Sequence, residues 1–357
     1  MNPPVTCWPL GRVEYSDGLE LQRQFIEAKK LERSTDTLLL LEHPPVLTMG
    51  RGAHRANVLA SPAQLDRLGV ELFETDRGGD VTYHGPGQLV GYPLLHLGPG
   101  RQDVRKYVRA IEEVVIRTAA DFGIAASRLE RWPGVWVEQS RDGGPRKLAA
   151  LGVHLSRWYT RHGFALNIRP DLSHFGLIVP CGITEGGVTS MERELGRAVE
   201  PEAVSQRIIE HFAAVFDCSV VLAPAPEETV SVVIRHADDF LLMRRTPERG
   251  GFWQPVTGRV EAGESTALAA QRELREETSF ETPVRSLEYR HAFPWGASSP
   301  PRVAIETAYV ALVSERANPR LSDEHDAFEW VDLATALGRV PFAGFKRALT
   351  RAAAVTA

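Results

Sequence analysis

The sequence RGGDVTYHGPGQLVGYP, residues 77–93, contains four glycines within its first eleven residues. Glycine allows tight turns and close backbone approach, so the stretch predicts either a hairpin between strands or a loop that wraps a ligand. It lacks the Gly-Lys-Ser/Thr of a phosphate-binding loop and the Gly-x-Gly-x-x-Gly spacing of a dinucleotide-binding turn. Five polar side chains favour the binding loop: Arg77, Asp80, Tyr83, His84 and Gln88.

Two later segments carry a lysine and a cysteine that could act together. Residues 146–168, RKLAALGVHLSRWYTRHGFALNI, place Lys147 immediately before an apolar run, and residues 178–184, IVPCGIT, place Cys181 in a short turn. Taken singly, Lys147 suggests a solvated charge at a strand end, and Cys181 suggests a small buried apolar residue. A nearby cation lowers the pKa of a thiol below its free value of about 8.5 and makes it a nucleophile. Lys147 is the candidate cation.

The length of 357 residues suggests two domains, because domains usually contain about 100–200 residues. Residues 217–230, DCSVVLAPAPEETV, suit an extended connector, so we predict a first domain at 1–222, a linker at 223–228 and a second domain at 229–357. Periodicity predicts an α+β first domain, without the alternation of a doubly wound fold. Its predicted helices are 19–31, 104–122 and 200–216, and its predicted strands are 37–41, 135–138 and 148–155. The second domain is predicted to open with strands 229–234 and 240–243.

The composition is that of a folded globular protein, with 43% hydrophobic and 24% charged residues. A net charge of -5 gives no reason to expect a nucleic-acid partner. Three scattered cysteines fit a reducing compartment. No signal peptide or apolar run long enough to cross a bilayer is evident. We therefore expect a cytoplasmic protein without a membrane partner.

Together, the three segments resemble the signature segments of the lipoyl(octanoyl) transferase family, and residues 42–53, EHPPVLTMGRGA, resemble its N-terminal part. The resemblance implies a fold shared with biotin and lipoate ligases. It implies transfer of octanoyl from octanoyl-acyl carrier protein to a lysine of lipoyl-accepting proteins, the first step of lipoate biosynthesis and protein lipoylation. The implied acceptors are the lipoyl domains of 2-oxoacid dehydrogenases and the glycine cleavage H protein. No cofactor is implied for this domain.

The resemblance also assigns residues. Cys181 matches the acyl-thioester nucleophile, and Lys147 matches the residue that lowers its pKa. The matched substrate-binding residues are Arg77, Gly78, Gly79, Asp80, Val81, Thr82, Tyr83, His84, Ala150, Leu151, Gly152, Gly163, Phe164 and Ala165. The alternative is an ATP-dependent lipoate or biotin ligase, which needs no cysteine nucleophile.

A second constellation follows in residues 258–280, GRVEAGESTALAAQRELREETSF. Glu273, Glu276 and Glu277 have helical spacing and would project from one side of a helix, with Ser265 as its N-cap. Ala267, Ala270 and Leu274 would face the core. Their mutual repulsion and hard oxygen atoms suit Mg²⁺ or Mn²⁺. A solvated helix with Glu–Arg ion pairs is the plainer alternative.

The segment resembles the Nudix box, with Ser279 where the box normally has glycine. This resemblance implies an α/β/α sandwich that hydrolyses a nucleoside diphosphate derivative with the help of metal ions. It implies Glu273 and Glu277 as the principal ligands and Glu276 as a third. Residues 252–264 and 323–333 are similar to dihydroneopterin triphosphate pyrophosphohydrolases, which implies Glu324 as a further ligand or base, with Asp323 and Asp326 as rivals. The implied substrate is a nucleoside or pterin triphosphate; the alternative is a non-catalytic, nucleotide-sensing domain.

Overall fold

The computed structural model describes residues 2–130, 132–179, 186–295 and 302–356. These residues divide into two compact units, the first ending at Ala225 and the second beginning at Pro226. The division falls inside the predicted linker 223–228, and the first strand of the second unit already begins at Glu227. Cys181 lies outside the described residues.

The first unit is a mixed α+β structure. Its strands are β1 (Val5–Arg12), β2 (Asp36–Glu42), β3 (Val46–Met49), β4 (Glu71–Glu74), β5 (Val81–His84), β6 (Gln88–Leu94), β7 (Ser127–Leu129), β8 (Trp132–Val137), β9 (Arg146–Ser156), β10 (Tyr159–Asn167), β11 (Gly187–Val188) and β12 (Val220–Leu222). Among the described residues, nine strands form one sheet in the order β12-β1-β2-β6-β10-β9-β8-β7, with β11 beside β9. A smaller sheet has the order β4-β3-β5. The cavity described below is lined by residues from both sheets.

The helices of this unit are α1 (Tyr15–Lys30), α2 (Pro62–Leu68), α3 (Val104–Asp121), α4 (Met191–Leu195) and α5 (Pro201–Phe216), with 3-10 turns at Arg55–Asn57 and Leu172–Leu177. The predicted helices 104–122 and 200–216 are confirmed as α3 and α5, which bury apolar residues at helical spacing against the large sheet. Helix α1 begins four residues before the predicted start. The reason is that Tyr15 and Gly18 extend its buried stripe, and Gly18 packs closely against His43.

The second unit is a sheet covered by helices on both faces. Its strands are β13 (Glu227–His236), β14 (Asp239–Arg245), β15 (Trp253–Gln254), β16 (Val256–Arg259), β17 (Val284–Trp295), β18 (Arg302–Leu312) and β19 (His325–Asp332); its helices are α6 (Thr266–Thr278), α7 (Leu333–Arg339) and α8 (Ala343–Ala353). The order is β15-β14-β13-β18-β17, with β16 on β13 and β19 on β14. Val232 of β13 packs in the core with α6, and Val233 packs in the core with α7 and α8. The predicted α/β/α sandwich is confirmed.

Helix α6 has the predicted ends. The Ser265 side chain accepts a hydrogen bond from Leu268 N, and Ser279 adopts the left-handed conformation just beyond the helix, with φ +63°. Ala269, Ala270 and Leu274 face the core. Ala267 was also expected to face the core, and that prediction was wrong. Ala267 lies beside the buried stripe of the helix and is exposed. In the parts of the chain that the structure describes, no helix is long and apolar enough to cross a membrane.

Candidate active sites

The first unit contains a cavity of about 380 Å³ at the predicted substrate site. Twelve of the fourteen predicted substrate-binding residues line it: Arg77, Gly79, Asp80, Val81, Thr82, His84, Ala150, Leu151, Gly152, Gly163, Phe164 and Ala165. Lys147 lines it as well. Gly78 and Tyr83 do not, since Gly78 N bonds to Val153 O and the buried Tyr83 hydroxyl lies 2.8 Å from His174 Nδ1. Strands β5, β6, β9 and β10 thus bring together segments that are distant in the sequence.

The glycine-rich loop is attached to the chain that follows β3. Arg51 N donates to Arg77 O, and Gly52 N donates to Gly79 O. The Arg77 guanidinium donates to Thr48 O at 2.5 Å and to Thr48 Oγ1 at 2.9 Å. Gly79 has a φ of +90°, which favours glycine. Arg77 therefore anchors the loop to β3 as well as lining the cavity.

A chain of polar contacts connects this loop with Lys147. His84 Nδ1 lies 2.6 Å from Gln88 Oε1, and Gln88 Nε2 donates to Asn167 Oδ1 at 2.9 Å. Asn167 Nδ2 donates to Thr189 O, and Thr189 N donates to Lys147 O at 3.0 Å. Burial lowers the pKa of His84 to about 3, so its imidazole is neutral at physiological pH. These polar contacts hold the end of β5, the start of β6 and the end of β10 in place at the cavity.

Lys147 is buried, with 7% of its surface exposed, which rules out a solvated strand-end charge. Its Nζ lies 4.9 Å from the centroid of the Trp136 ring, a distance at which a cation is attracted to the ring face. A Cβ at Gly134 would lie 3.4 Å from Lys147 Cε, so the aliphatic stem is closely packed. A second cavity of about 460 Å³ also reaches Lys147. The ammonium is thereby held at the cavity wall.

The described residues on either side of Cys181 are attached to the same wall. Val179, two residues before it in the sequence, donates from N to Asn57 O at 2.8 Å, and Asn57 Nδ2 donates to Asp80 Oδ2 at 2.5 Å. Val188, seven residues after it, pairs with Lys147 between β11 and β9. The other two cysteines are buried, and burial raises the pKa of Cys7 to about 12 and also raises the pKa of Cys218.

Several residues that line the cavity were not predicted. They include Tyr15, Tyr92, His162, Asn167 and Phe175. His162 Nε2 lies 2.8 Å from Asp76 Oδ1, and burial lowers the pKa of His162 to about 4. Burial would raise the pKa of Asp76, but the hydrogen bond with His162 and the charge of Arg161 outweigh it and lower that pKa to about 2. His162 lies in the quoted segment 146–168, whereas nothing in the local sequence marks Tyr15.

In the second unit, an arginine holds the carboxylates of α6. Arg272 Nη1 lies 2.7 Å from Glu273 Oε1 and 3.2 Å from Glu276 Oε2, and its other nitrogens bond to Glu264. Glu273 packs directly on Gly258, where a Cβ would overlap its carboxyl group. Burial raises the pKa of Glu273, the charge of Arg272 lowers it, and the charges of Glu276 and Glu277 add to the rise. These carboxylates offer the hard oxygen atoms that divalent metals prefer, and they repel one another.

The other two predicted ligands have separate partners. Glu277 Oε2 lies 2.6 Å from His325 Nδ1, and Glu324 forms ion pairs with Arg245 and Arg249. Within residues 2–130, 132–179, 186–295 and 302–356, no group of three or more His, Cys, Asp or Glu side chains is arranged to hold a metal ion. The predicted set Glu273, Glu276, Glu277 and Glu324 is therefore not assembled as one site in this arrangement. Its members are instead paired with different basic side chains.

Comparison with known proteins identifies the families of both units. Residues 14–213 match the family model of the lipoyl protein ligase A/B catalytic domain. An octanoyltransferase from Myxococcus xanthus is 54% identical over 354 residues, which cover 98% of this chain and 99% of that protein. The chain belongs to the octanoyltransferase family. Residues 225–352 match the NUDIX domain model, so the chain carries a Nudix domain as well.

Two further comparisons separate the parts of this octanoyltransferase. An octanoyltransferase from Solibacter usitatus is 52% identical over 208 residues, which are 58% of this chain but 91% of that protein. That relative therefore has little room for a second domain. A bi-partite lipoate protein ligase from Thermoplasma acidophilum superposes with a TM-score of 0.50 at 14% identity, covering 62% of this chain and 87% of that one. This likeness supports the lipoate ligase-like fold of the transferase.

Proposed function

We propose that the first unit transfers octanoyl from octanoyl-acyl carrier protein to a lysine of lipoyl domains through a thioester on Cys181. The observation that carries the proposal is the position of Lys147, a buried cation on the wall of a cavity. Before Cys181 in the sequence, Val179 N bonds to Asn57 O, and after it Val188 pairs with Lys147 itself. A cation in such a position lowers the pKa of a nearby thiol. The acceptors we propose are the lipoyl domains of 2-oxoacid dehydrogenases and the glycine cleavage H protein.

The proposed reaction has two balanced steps. The Cys181 thiolate attacks the carbonyl carbon of the octanoyl thioester, and the carrier thiolate leaves and takes up a proton. The neutral amine of the acceptor lysine then attacks the new thioester, giving an amide and regenerating Cys181 once the amine has lost its proton. An amide is more stable than a thioester, so the transfer needs no ATP. Apolar side chains on the cavity wall, among them Val90, Leu151 and Phe164, would contact the acyl chain.

Intact-mass analysis after incubation with octanoyl-acyl carrier protein tests this proposal. We expect a mass increase of one octanoyl group on the wild type, its absence in Cys181→Ser, and its retention in Cys218→Ser, which removes a buried cysteine. Transfer to a lipoyl domain should proceed without ATP. Full transfer by a folded Cys181→Ser variant would contradict the proposed thioester intermediate on Cys181. A strict requirement for ATP would favour the alternative of an ATP-dependent ligase.

We propose that the second unit hydrolyses a nucleoside or pterin triphosphate with Mg²⁺ or Mn²⁺. Glu273, Glu276 and Glu277 supply hard oxygen ligands on one helix, and their repulsion favours a cation. A divalent cation bound there would polarise the phosphoryl group for attack by water. Arg272 holds Glu273 and Glu276 in place. Three scattered cysteines lead us to propose a cytoplasmic location for both activities.

Release of phosphate or pyrophosphate from a panel of nucleoside and pterin triphosphates tests the hydrolase. Glu277→Gln should abolish release, whereas Glu281→Gln, an exposed carboxylate beyond α6, should leave it unchanged. A wild-type protein that binds these compounds but releases neither product would favour the non-catalytic, nucleotide-sensing alternative.

A further inference from the structure

The carboxylate of Glu324 is held between two arginines. Its Oε2 lies 2.7 Å from Arg245 Nη2, and its Oε1 lies 2.7 Å from Arg249 Nη1. The side chains are 36% exposed for Glu324, 22% for Arg245 and 49% for Arg249. Each carboxylate oxygen thus has one cationic partner in contact with solvent. Exposed ion pairs of this kind contribute little to stability, so exchanging their partners is easy.

The loop that carries Glu324 contacts the carboxylate helix α6. Ser322 Oγ donates to Glu277 Oε2 at 3.2 Å, and Glu324 N donates to Ser322 Oγ at 3.3 Å. His325, the next residue, contacts Glu277 at 2.6 Å. The loop that carries Glu324 is therefore attached to a predicted metal ligand.

Arg245 has an unused donor, and Arg249 has a rigid support. Arg245 Nε is buried and has no hydrogen-bond acceptor among the residues that the structure describes. Arg249 belongs to a tight loop in which the nitrogens of Arg249 and Gly251 both donate to Thr246 O. Gly250 has a φ of +108°, which favours glycine. The loop thereby presents Arg249 to the same carboxylate as Arg245, that of Glu324.

We propose that Arg245 and Arg249 bind the polyphosphate of the substrate by exchanging the Glu324 carboxylate for phosphate oxygens, which releases Glu324 beside Glu277. The two guanidinium groups carry two positive charges against one negative charge, so the cluster retains a net charge of about +1 without substrate. A polyphosphate has more negative charge than a carboxylate and offers several oxygens in the geometry that guanidinium groups bind in pairs. It therefore displaces Glu324. This inference rests on the proposed hydrolysis of a triphosphate and adds the residues that recognise its anion.

Calorimetric titration of the full chain with inorganic tripolyphosphate, in EDTA, tests the exchange without any metal. We expect Arg249→Ala to bind tripolyphosphate at least about tenfold more weakly than the wild type, because one charge-assisted partner is lost. Glu324→Gln should bind it several-fold more tightly, because the internal competitor has lost its charge. Misfolding would not increase affinity, so the second variant separates exchange from structural damage.

Arg244→Ala is the matched control. Arg244 precedes Arg245 on β14 but pairs with a different carboxylate, that of Asp326, at 2.7 Å. Its substitution should leave tripolyphosphate affinity unchanged. Unchanged or weaker binding by Glu324→Gln, or full affinity in Arg249→Ala, would overturn the exchange. If the expected binding pattern holds but no triphosphate is hydrolysed, the exchange stands and the proposed hydrolase activity fails.

Discussion

The cavity of the transferase unit and the carboxylate cluster of the Nudix unit hold their charged groups in different ways. Arg77, His84 and Lys147 are each 7% exposed, and strands or loop backbone hold them in place. In the Nudix unit, the side chains of Glu276 and Glu324 are 54% and 36% exposed, and arginine side chains hold them. The first site is therefore preorganised by tertiary packing. The second depends on ion pairs that a ligand can rearrange.

Removing divalent metal gives the largest expected difference between the two sites. EDTA should reduce phosphate release by the Nudix unit to background, because its carboxylates would lack the cation that they are expected to hold. The same treatment should leave octanoyl transfer unchanged, because the proposed cysteine chemistry uses no metal. Both activities would be measured on one sample. Loss of octanoyl transfer in EDTA would contradict the independence of the two sites.

Substitution of Lys147 tests the preorganised site. Lys147→Met keeps the packed stem but removes the charge, so we expect octanoyl transfer at neutral pH to fall by about 100-fold or more. The residual rate should increase with pH up to the ordinary thiol pKa of about 8.5, as the thiolate forms without help. Lys106→Met, at an exposed position of α3, is the control. An unchanged pH profile would assign Lys147 a purely structural role.

Two glycine substitutions compare how the sites respond to a methyl group. At Gly163, a Cβ would overlap Gly91 O and lie 2.6 Å from Pro93 Cδ, so Gly163→Ala should lower the free energy of unfolding by roughly 2–3 kcal/mol. At Gly258 it would overlap the Glu273 side chain, which can rotate. Gly258→Ala should therefore cost less than about 1.5 kcal/mol in stability yet impair hydrolysis.

Urea unfolding monitored by proteolysis of each unit measures both effects. Gly98→Ala, where a Cβ meets nothing within 4 Å, is the control for the first unit, and Gly338→Ala is the control for the second. Equal destabilisation by Gly163→Ala and Gly258→Ala would show that both sites are equally rigid. That result would contradict the contrast between a preorganised cavity and an ion-paired carboxylate cluster.

Acidification should produce the smallest but most distinctive difference. Burial lowers the pKa values of His43, His84 and His162 to about 4, 3 and 4. Unfolded histidines have a pKa of about 6.5, so the unfolded chain binds more protons than the folded chain below that pH. The first unit therefore loses stability as pH falls from about 6.5 to 4, by up to about 1.4 kcal/mol per pH unit for each histidine.

One buried group of the second unit should respond with the opposite sign. Burial raises the pKa of Glu306 above its ordinary value, so the folded chain binds its proton more tightly than the unfolded chain and acidification favours folding. Urea unfolding of each unit at about pH 7 and pH 5.5 checks the difference. Equal loss of stability in both units on acidification would contradict the expected difference between them.

Local sequence was sufficient for a large part of the structure. The spacing of Val204, Ile208 and Phe212 predicted α5, and Ser265 predicted the start of α6, because both features act within one or two helical turns. Gly258 was singled out by the motif, and its close contact with Glu273 supplies the physical reason for glycine there. Helical periodicity and the N-cap depend only on neighbouring residues, whereas the Gly258–Glu273 contact joins β16 to α6.

The sequence by itself determined the two-unit organisation, most of the helices and strands, and the residue types at both sites. Only the tertiary structure decided that Tyr15 and Asn167 join the cavity, that Asp76 contacts His162 across 86 residues, and that Glu324 is held by Arg245 and Arg249. These contacts depend on which strands become neighbours, such as β6 between β2 and β10. Local periodicity does not contain that information, because strand pairing joins segments far apart in the chain.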